Sequence, residues 1–69
     1  MSFARQKVLK ALQAKGCRFL REGGRHTILQ AAGGGRVEVP RHRIIRRGTA
    51  RIIARQAGIE WHDFEQAIS

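Results

Sequence analysis

The first fifteen residues carry apolar side chains at the spacing of an amphipathic α-helix. Ser2 is of the type that caps helix N-termini, and Gly16 is of the type that ends helices. The sequence therefore predicts a helix over residues 3–15 that packs one face on a sheet. Its apolar stripe consists of Ala4, Val8, Ala11 and Leu12.

Between residues 17 and 40 the pattern changes to that of β-strands. Two glycine segments, Gly23-Gly24 and residues 33–35, separate three short runs with apolar side chains. Glycine favours tight turns because it adopts positive φ without steric cost. Pro40 cannot donate a hydrogen bond to a neighbouring strand, so it ends the third run. The pattern predicts three antiparallel strands, at residues 17–22, 26–31 and 36–39.

A second helical pattern follows a basic loop at residues 41–47. The predicted helix has Gly48 or Thr49 as its N-cap and continues to Ala57, and Gly58 ends it. A last short helix is predicted near residues 60–68. The side chains expected to face the core are Ile52, Ile53, Gln56 and Ala57 in the second helix and Trp61, Phe64 and Ile68 in the last.

The predicted order is thus helix, three antiparallel strands, helix and a short extra C-terminal helix. Each helix has one apolar stripe to bury, so both long helices are expected on one face of the sheet. This α+β order and size are those of the double-stranded-RNA-binding-domain architecture, α-β-β-β-α. At 69 residues the chain is expected to form a single domain over residues 1–69.

Charge is distributed unevenly along the chain. The 14 lysines and arginines exceed the five acidic residues, for a formal net charge of +9. Residues 1–59 hold all of the basic residues and only Glu22 and Glu38 as acids, whereas residues 60–69 hold three acids and no base. A body this basic binds polyanions, so we expect contact with nucleic acid or an acidic protein.

Membrane and disulfide classes are not expected. No apolar run reaches the roughly 18 residues that a membrane span needs. The single cysteine, Cys17, cannot form an internal disulfide. A single cysteine fits a reduced setting, so the simplest expectation is a cytoplasmic protein. No metal and no cofactor are expected, because Cys17 and the three histidines lack the paired spacing of metal ligands.

The segment Gly23-Gly24-Arg25-His26 is the sharpest candidate for chemistry. A histidine that enters a strand directly after a glycine turn is held by a hairpin, and histidine is suited to transfer protons at neutral pH. RNA carries its own nucleophile, the 2′-hydroxyl. A histidine base with cations on the phosphate would therefore suffice for cleavage. Arg25 is a candidate for stabilising charge on that phosphate.

A second candidate is the arginine-rich segment at residues 41–47, which leads into a helix N-terminus. Guanidinium groups and free backbone N–H groups bind phosphate, so the segment predicts RNA contact, although a solvated charged loop is the alternative. Three roles remain open for His42: it contacts phosphate, it donates a proton, or it takes no part. The full set of expected RNA-binding residues is Arg25, Arg36, Arg41, His42, Arg43, Arg46, Arg47 and Arg51.

Three segments together resemble the HicA toxin family. They are Gly24-Arg25-His26, Val39-Pro40-Arg41-His42, and residues 48–59, GTARIIARQAGI. The resemblance implies a double-stranded-RNA-binding-domain-like fold, metal-independent cleavage of mRNA, growth inhibition and a cognate HicB antitoxin. The family's catalytic histidine, in a Gly-Ser-His motif, corresponds to His26, and Arg25 stands where the family has serine.

Two other functions remain open from the residues alone. A non-catalytic module that binds double-stranded RNA needs the same fold and charge, and so does an interaction protein that presents a basic face to an acidic partner. The four aromatic side chains all have plausible places in the core, which favours contact with the RNA backbone over base stacking. They are Phe3, Phe19, Trp61 and Phe64.

Overall fold

A computed structural model describes all 69 residues, from Met1 to Ser69. Three helices are present, α1 (Arg5–Ala14), α2 (Arg47–Ala57) and α3 (Trp61–Ile68). The strands are β1 (Ser2–Ala4), β2 (Arg18–Glu22), β3 (His26–Gln30), β4 (Arg36–Pro40) and β5 (Ile44–Arg46). The predicted α+β class, with its α-β-β-β-α order and extra C-terminal helix, is confirmed.

The main sheet is antiparallel, in the order β2-β3-β4, with β3 in the centre. Leu29 lies opposite Val37, and Thr27 lies opposite Val39. The register between β2 and β3 shifts between Phe19 and Arg21, which is a bulge at the sheet edge. Both glycine segments join these three strands, as predicted. Gly34 has a positive φ of +100°, but Gly23 and Gly24 do not, so the expectation of positive φ in the first turn is wrong.

One apolar core forms between the sheet and the helices. Side chains alternate along a strand, so Leu29 faces the helices while its neighbour Ile28 faces the other side. Leu29 belongs to the main cluster of 15 buried residues, whereas Ile28 is buried outside it. The helices therefore pack on one face of the sheet. They contribute Val8, Ala11, Leu12, Ala50, Ile53, Ala54, Phe64 and Ile68 to that cluster.

Two sequence predictions at the ends of the long helices are wrong. Ser2 does not cap α1, because Ser2–Ala4 forms β1, which pairs antiparallel with β5 inside the predicted basic loop. Phe3 and Ile45 are opposite one another and both buried, so their packing decides the conformation of both segments. Likewise α2 begins at Arg47, with Arg46 rather than Gly48 or Thr49 in the N-cap position.

Three side chains predicted to be buried are exposed. Ile52 is 54% exposed because the buried stripe of α2 follows Ala50, Ile53 and Ala54 instead. Gln56 lies outside that stripe, and its side-chain oxygen accepts the backbone N–H of Glu38 at the edge of β4. Phe19 is 52% exposed because β2 is an edge strand with no helix over it, and every residue of β2 is exposed.

The other helix ends agree with the sequence. Gly58 has a φ of +72°, and the N–H of Ile59 donates to the carbonyl of Ala54 at 2.9 Å, which is a Schellman end. Gly16 ends α1 with a φ of +94°. Phe64 and Ile68 are buried along one face of α3, as predicted. None of the three helices has the length and apolarity needed to cross a bilayer.

Candidate functional site

His26 is the first residue of β3 and lies directly opposite Pro40, the last residue of β4. The turn before it is closed by the N–H of Gly23, which donates to the carbonyl of His26 at 2.7 Å. The imidazole is half-buried. Because Leu29 faces the helices, the alternation of side chains directs His26 to the opposite, open face.

The loop that follows Pro40 is bonded to the glycine turn. The N–H of Arg41 donates to the carbonyl of Arg25 at 3.3 Å, and its Nη1 donates to the carbonyl of Gly23 at 3.4 Å. We call residues 41–43, all exposed, the cationic loop. The fold thus brings Arg25, His26 and the cationic loop together at one end of the sheet.

A network of polar side chains lies on the helix side of the same region. Arg5 donates from Nε to the carbonyl of Pro40 at 2.9 Å and from Nη2 to the hydroxyl of Thr27. Thr27 is only 2% exposed, and it donates in turn to Oε1 of Glu22 at 2.9 Å. The backbone N–H of Arg5 also donates to the carbonyl of Arg43 at 2.9 Å.

The electrostatics of this end of the sheet are strongly positive. The single carboxylate in the network belongs to Glu22, whose Oε1 lies 3.8 Å from Nε of Arg41. Both side chains of that pair are about half exposed, so their direct attraction is weak. Arg5, Arg25 and Arg43 add further positive charge. The region is suited to bind a phosphate group.

Arg36 is not part of this cluster. It is the first residue of β4 and lies opposite Gln30, at the other end of the strand pair from His26. Four residue-to-residue steps along β4 separate the two ends, which is roughly 13 Å. The Nε of Arg36 also forms an ion pair with Glu38 at 3.2 Å.

The remaining predicted RNA-binding residues form a second basic cluster near the start of α2. Arg47 and Arg51 each place a guanidinium 5.4 Å from the centroid of the Trp61 ring. Arg47 is also bonded to Glu65 at 2.8 Å, and both side chains of that ion pair are partly exposed. Arg46, at the end of β5, and Arg51 are exposed.

Sequence reasoning missed Arg5, Thr27 and Glu22. One signal was present for Arg5, which precedes Val8 by three residues and Leu12 by seven and so lies on the apolar stripe of α1. A charged side chain on such a stripe indicates a polar partner beneath it. The bond between Thr27 and Glu22 depends on the pairing of β2 with β3, which no local pattern reveals.

Other reactive groups lie elsewhere. No three side chains of histidine, cysteine, aspartate or glutamate are grouped so that they could hold a metal ion. Burial raises the pKa of the Cys17 thiol above its ordinary value, against a smaller lowering by a backbone hydrogen bond from Ala32. Cys17 belongs to the main core.

A small basic α+β domain with a histidine on its open sheet face, beside an arginine-rich loop, has the charge distribution that favours binding of polyanions. A comparison with protein-family models gives a more specific result, since the model of the HicA toxin of bacterial toxin–antitoxin matches residues 5–59. The chain therefore belongs to the HicA toxin family, as its motifs predicted. No curated protein and no solved structure matches the chain significantly.

Membership of this family defines the general role of the chain. It is a toxin of a toxin–antitoxin system, and such a toxin has a cognate antitoxin as its partner. The matched residues include the glycine turn, His26 and the cationic loop. They also include Arg5 and the whole of the polar network.

Proposed function

We propose that this toxin is an endoribonuclease, an mRNA interferase that cleaves mRNA in the cytoplasm and so inhibits translation and growth. The observation that carries the proposal is the position of His26, half-buried on the open face of the sheet and opposite Pro40, where the cationic loop begins. An imidazole and several guanidinium groups are the components that cleavage of a phosphodiester by its own 2′-hydroxyl requires.

In the proposed reaction, His26 takes the proton of a ribose 2′-hydroxyl. The 2′ oxygen then forms a bond to the adjacent phosphorus, and the bond from phosphorus to the 5′ oxygen breaks. The 5′ oxygen leaves with a proton supplied by solvent or by His42, the exposed histidine of the cationic loop. The products are a 2′,3′-cyclic phosphate and a 5′-hydroxyl, and the step needs no metal or cofactor.

The arginines at this end of the sheet bind the reacting phosphate in the proposal. Arg25, Arg41 and Arg43 are exposed there, and guanidinium groups stabilise the charge that develops on phosphate oxygens. Arg36 lies at the other end of the β3–β4 pair, and Arg46 and Arg51 lie near the start of α2. In the proposal these three contact neighbouring phosphates of the same RNA. Arg47 is paired with Glu65, and its partly exposed guanidinium has further N–H donors that could contact the same RNA.

The test is cleavage of RNA by the purified protein, with and without EDTA, compared with the His26→Ala variant. We expect the wild type to cleave equally well in EDTA and to leave 2′,3′-cyclic phosphate ends. His26→Ala should lose about 10²–10⁴-fold in rate, the usual contribution of general acid–base catalysis, and keep most of its RNA affinity. His62→Ala is the matched control, because His62 is an exposed histidine in α3. A His26→Ala variant as active as the wild type contradicts the proposal.

A second candidate is a non-catalytic module that binds double-stranded RNA. Its support is the second basic cluster, because Arg46 at the end of β5 and Arg51 in α2 are exposed. That function predicts binding that weakens steeply with salt and leaves the RNA intact. Intact RNA after incubation with the wild type would favour this module over the ribonuclease.

A further inference from the structure

We propose that Arg5, Thr27 and Glu22 form a positioning network that holds His26 and the cationic loop in the arrangement needed for cleavage. The inference rests on the proposed ribonuclease function. None of the three is assigned contact with RNA. They would act through the backbone segments to which they are bonded.

Arg5 is bonded to two residues adjacent to His26, one in the chain and one across the sheet. Its Nη2 donates to the hydroxyl of Thr27, the next residue in the chain, and its Nε donates to the carbonyl of Pro40, the cross-strand partner of His26. Its backbone N–H donates to the carbonyl of Arg43 in the cationic loop. One residue of α1 therefore connects β3, the end of β4 and the loop.

Thr27 is the centre of the network. Its hydroxyl accepts from Arg5 and donates to Glu22, so both of its hydrogen-bonding functions are used. Thr27 is the only polar residue in the protein that is buried, and its cross-strand partner Val39 belongs to the apolar core. A buried polar group without partners is unfavourable, so this site favours one arrangement of the three side chains.

Glu22 connects the network to the glycine turn. It is the last residue of β2, lies opposite Thr27 and directly precedes Gly23. The bond between Thr27 and Glu22 thus fixes both strands of the hairpin at the point where the turn begins. His26 follows that turn, and Gly23 is bonded to its carbonyl.

The network affects the position of His26 and does not contact RNA, because it lies on the face of the sheet opposite the imidazole. Thr27 and Leu29 face the helices, whereas His26 faces the open side. Loss of the network would let the backbone of His26 move relative to the arginines without removing any group that binds RNA. A displacement of about 1 Å is enough to lower a catalytic rate by roughly 10²-fold.

The test compares Thr27→Val with Thr27→Ser. Valine keeps the shape of threonine and removes the hydroxyl, whereas serine keeps the hydroxyl and removes a methyl group. We expect Thr27→Val to lower the single-turnover cleavage rate at saturating protein by about 10- to 100-fold, with an RNA Kd within about twofold of the wild type. Thr27→Ser should cleave at close to the wild-type rate, although it also loses packing.

Two further variants separate positioning from stability. Ile53→Val removes one buried carbon from α2, away from the network, and should lower Tm. At temperatures well below Tm, its cleavage rate should equal that of the wild type. Arg5→Lys keeps the charge but not the planar fork that reaches Thr27 and Pro40, so it should reproduce the loss seen in Thr27→Val. If Thr27→Val does not fold, the cleavage rate of Arg5→Lys tests the inference instead.

The outcomes distinguish this inference from the function on which it rests. Thr27→Val or Arg5→Lys cleaving at the wild-type rate overturns the inference and leaves the ribonuclease intact. Equal losses in Thr27→Ser and Thr27→Val also overturn it, because the hydroxyl would then be irrelevant. A wild-type protein that does not cleave RNA overturns both.

Discussion

The backbone N–H of Arg41 donates to the carbonyl oxygen of Arg25 at 3.3 Å, and this bond joins the cationic loop to the glycine turn. The bond depends on Pro40, the last residue of β4, which directly precedes the loop. Pro40 ends β4 opposite His26 but has no N–H, so the first donor available beyond the strand belongs to Arg41. Two basic segments that are distant in sequence therefore form one surface around His26.

Arg41 is expected to contribute more to RNA binding than an arginine elsewhere on the sheet. Arg41→Gln should weaken RNA affinity by about tenfold and lower the slope of log K against log salt by about one, because one phosphate contact is lost. The measurement is a titration of RNA at several salt concentrations, together with the cleavage rate.

Arg18→Gln is the matched control for Arg41→Gln. Arg18 lies on β2 opposite Gln30, at the end of the sheet away from His26, and the substitution changes the net charge equally. It should leave cleavage unchanged and affect affinity less. Equal effects of the two substitutions would show that only the overall charge of the protein matters.

Gly23 is expected to tolerate alanine poorly. A Cβ atom at this position would lie 3.1 Å from the carbonyl oxygen of His26, which is closer than normal contact. Gly23→Ala should therefore strain the bond between these residues, displace His26 and lower the cleavage rate several-fold. Urea unfolding should show a loss of about 1 kcal/mol.

The neighbouring glycine supplies the control. A Cβ atom at Gly24 would meet no atom within 4 Å, so Gly24→Ala should leave both the cleavage rate and the unfolding curve near those of the wild type. If the two alanine variants cleave RNA equally fast, then the close approach of Gly23 to His26 has no role in the site.

Two adjacent isoleucines in α2 are expected to differ strongly in their contribution to stability. Ile53 is fully buried and Ile52 is 54% exposed. Ile53→Ala should lower the free energy of unfolding by about 2–5 kcal/mol, whereas Ile52→Ala should change it by less than about 0.5 kcal/mol.

Unfolding by urea or heat, followed by circular dichroism, measures the free energy of unfolding of both isoleucine variants. A domain this small has roughly 3–5 kcal/mol of stability, so Ile53→Ala should be largely unfolded at 37 °C. If both variants lose a similar amount of stability, then α2 presents a different face to the core.

Most of the fold could be predicted from local features of the sequence. The glycine turns, the Schellman end at Gly58 and the apolar stripes of α1 and α3 depend on residues close together in the chain. The pairing of β1 with β5 could not be predicted in this way. Each of these strands has three residues, which is too short to show a period, and Phe3 meets Ile45 from the opposite end of a long segment.

The site was predicted in the same uneven way. His26 and the cationic loop stand out because an unusual residue follows a turn and because arginines are adjacent in sequence. The predicted hairpin already separates Arg36 from His26, because the first residues of two consecutive antiparallel strands lie at opposite ends of the pair. Arg47, by contrast, pairs with Glu65 only because α3 packs beside α2.

By itself, the sequence determined the order of the three helices and of the three strands in the main sheet, the basic character of the chain, the candidate histidine and the family. These properties depend on residue type and on short-range spacing, which operate before the chain is folded. Tertiary structure alone decided that Arg5 bonds Thr27 and Pro40, that Arg41 bonds Arg25, and that Phe19 and Ile52 are exposed. Such contacts join distant segments, and they exist only when strand register and helix packing place both partners within hydrogen-bond distance.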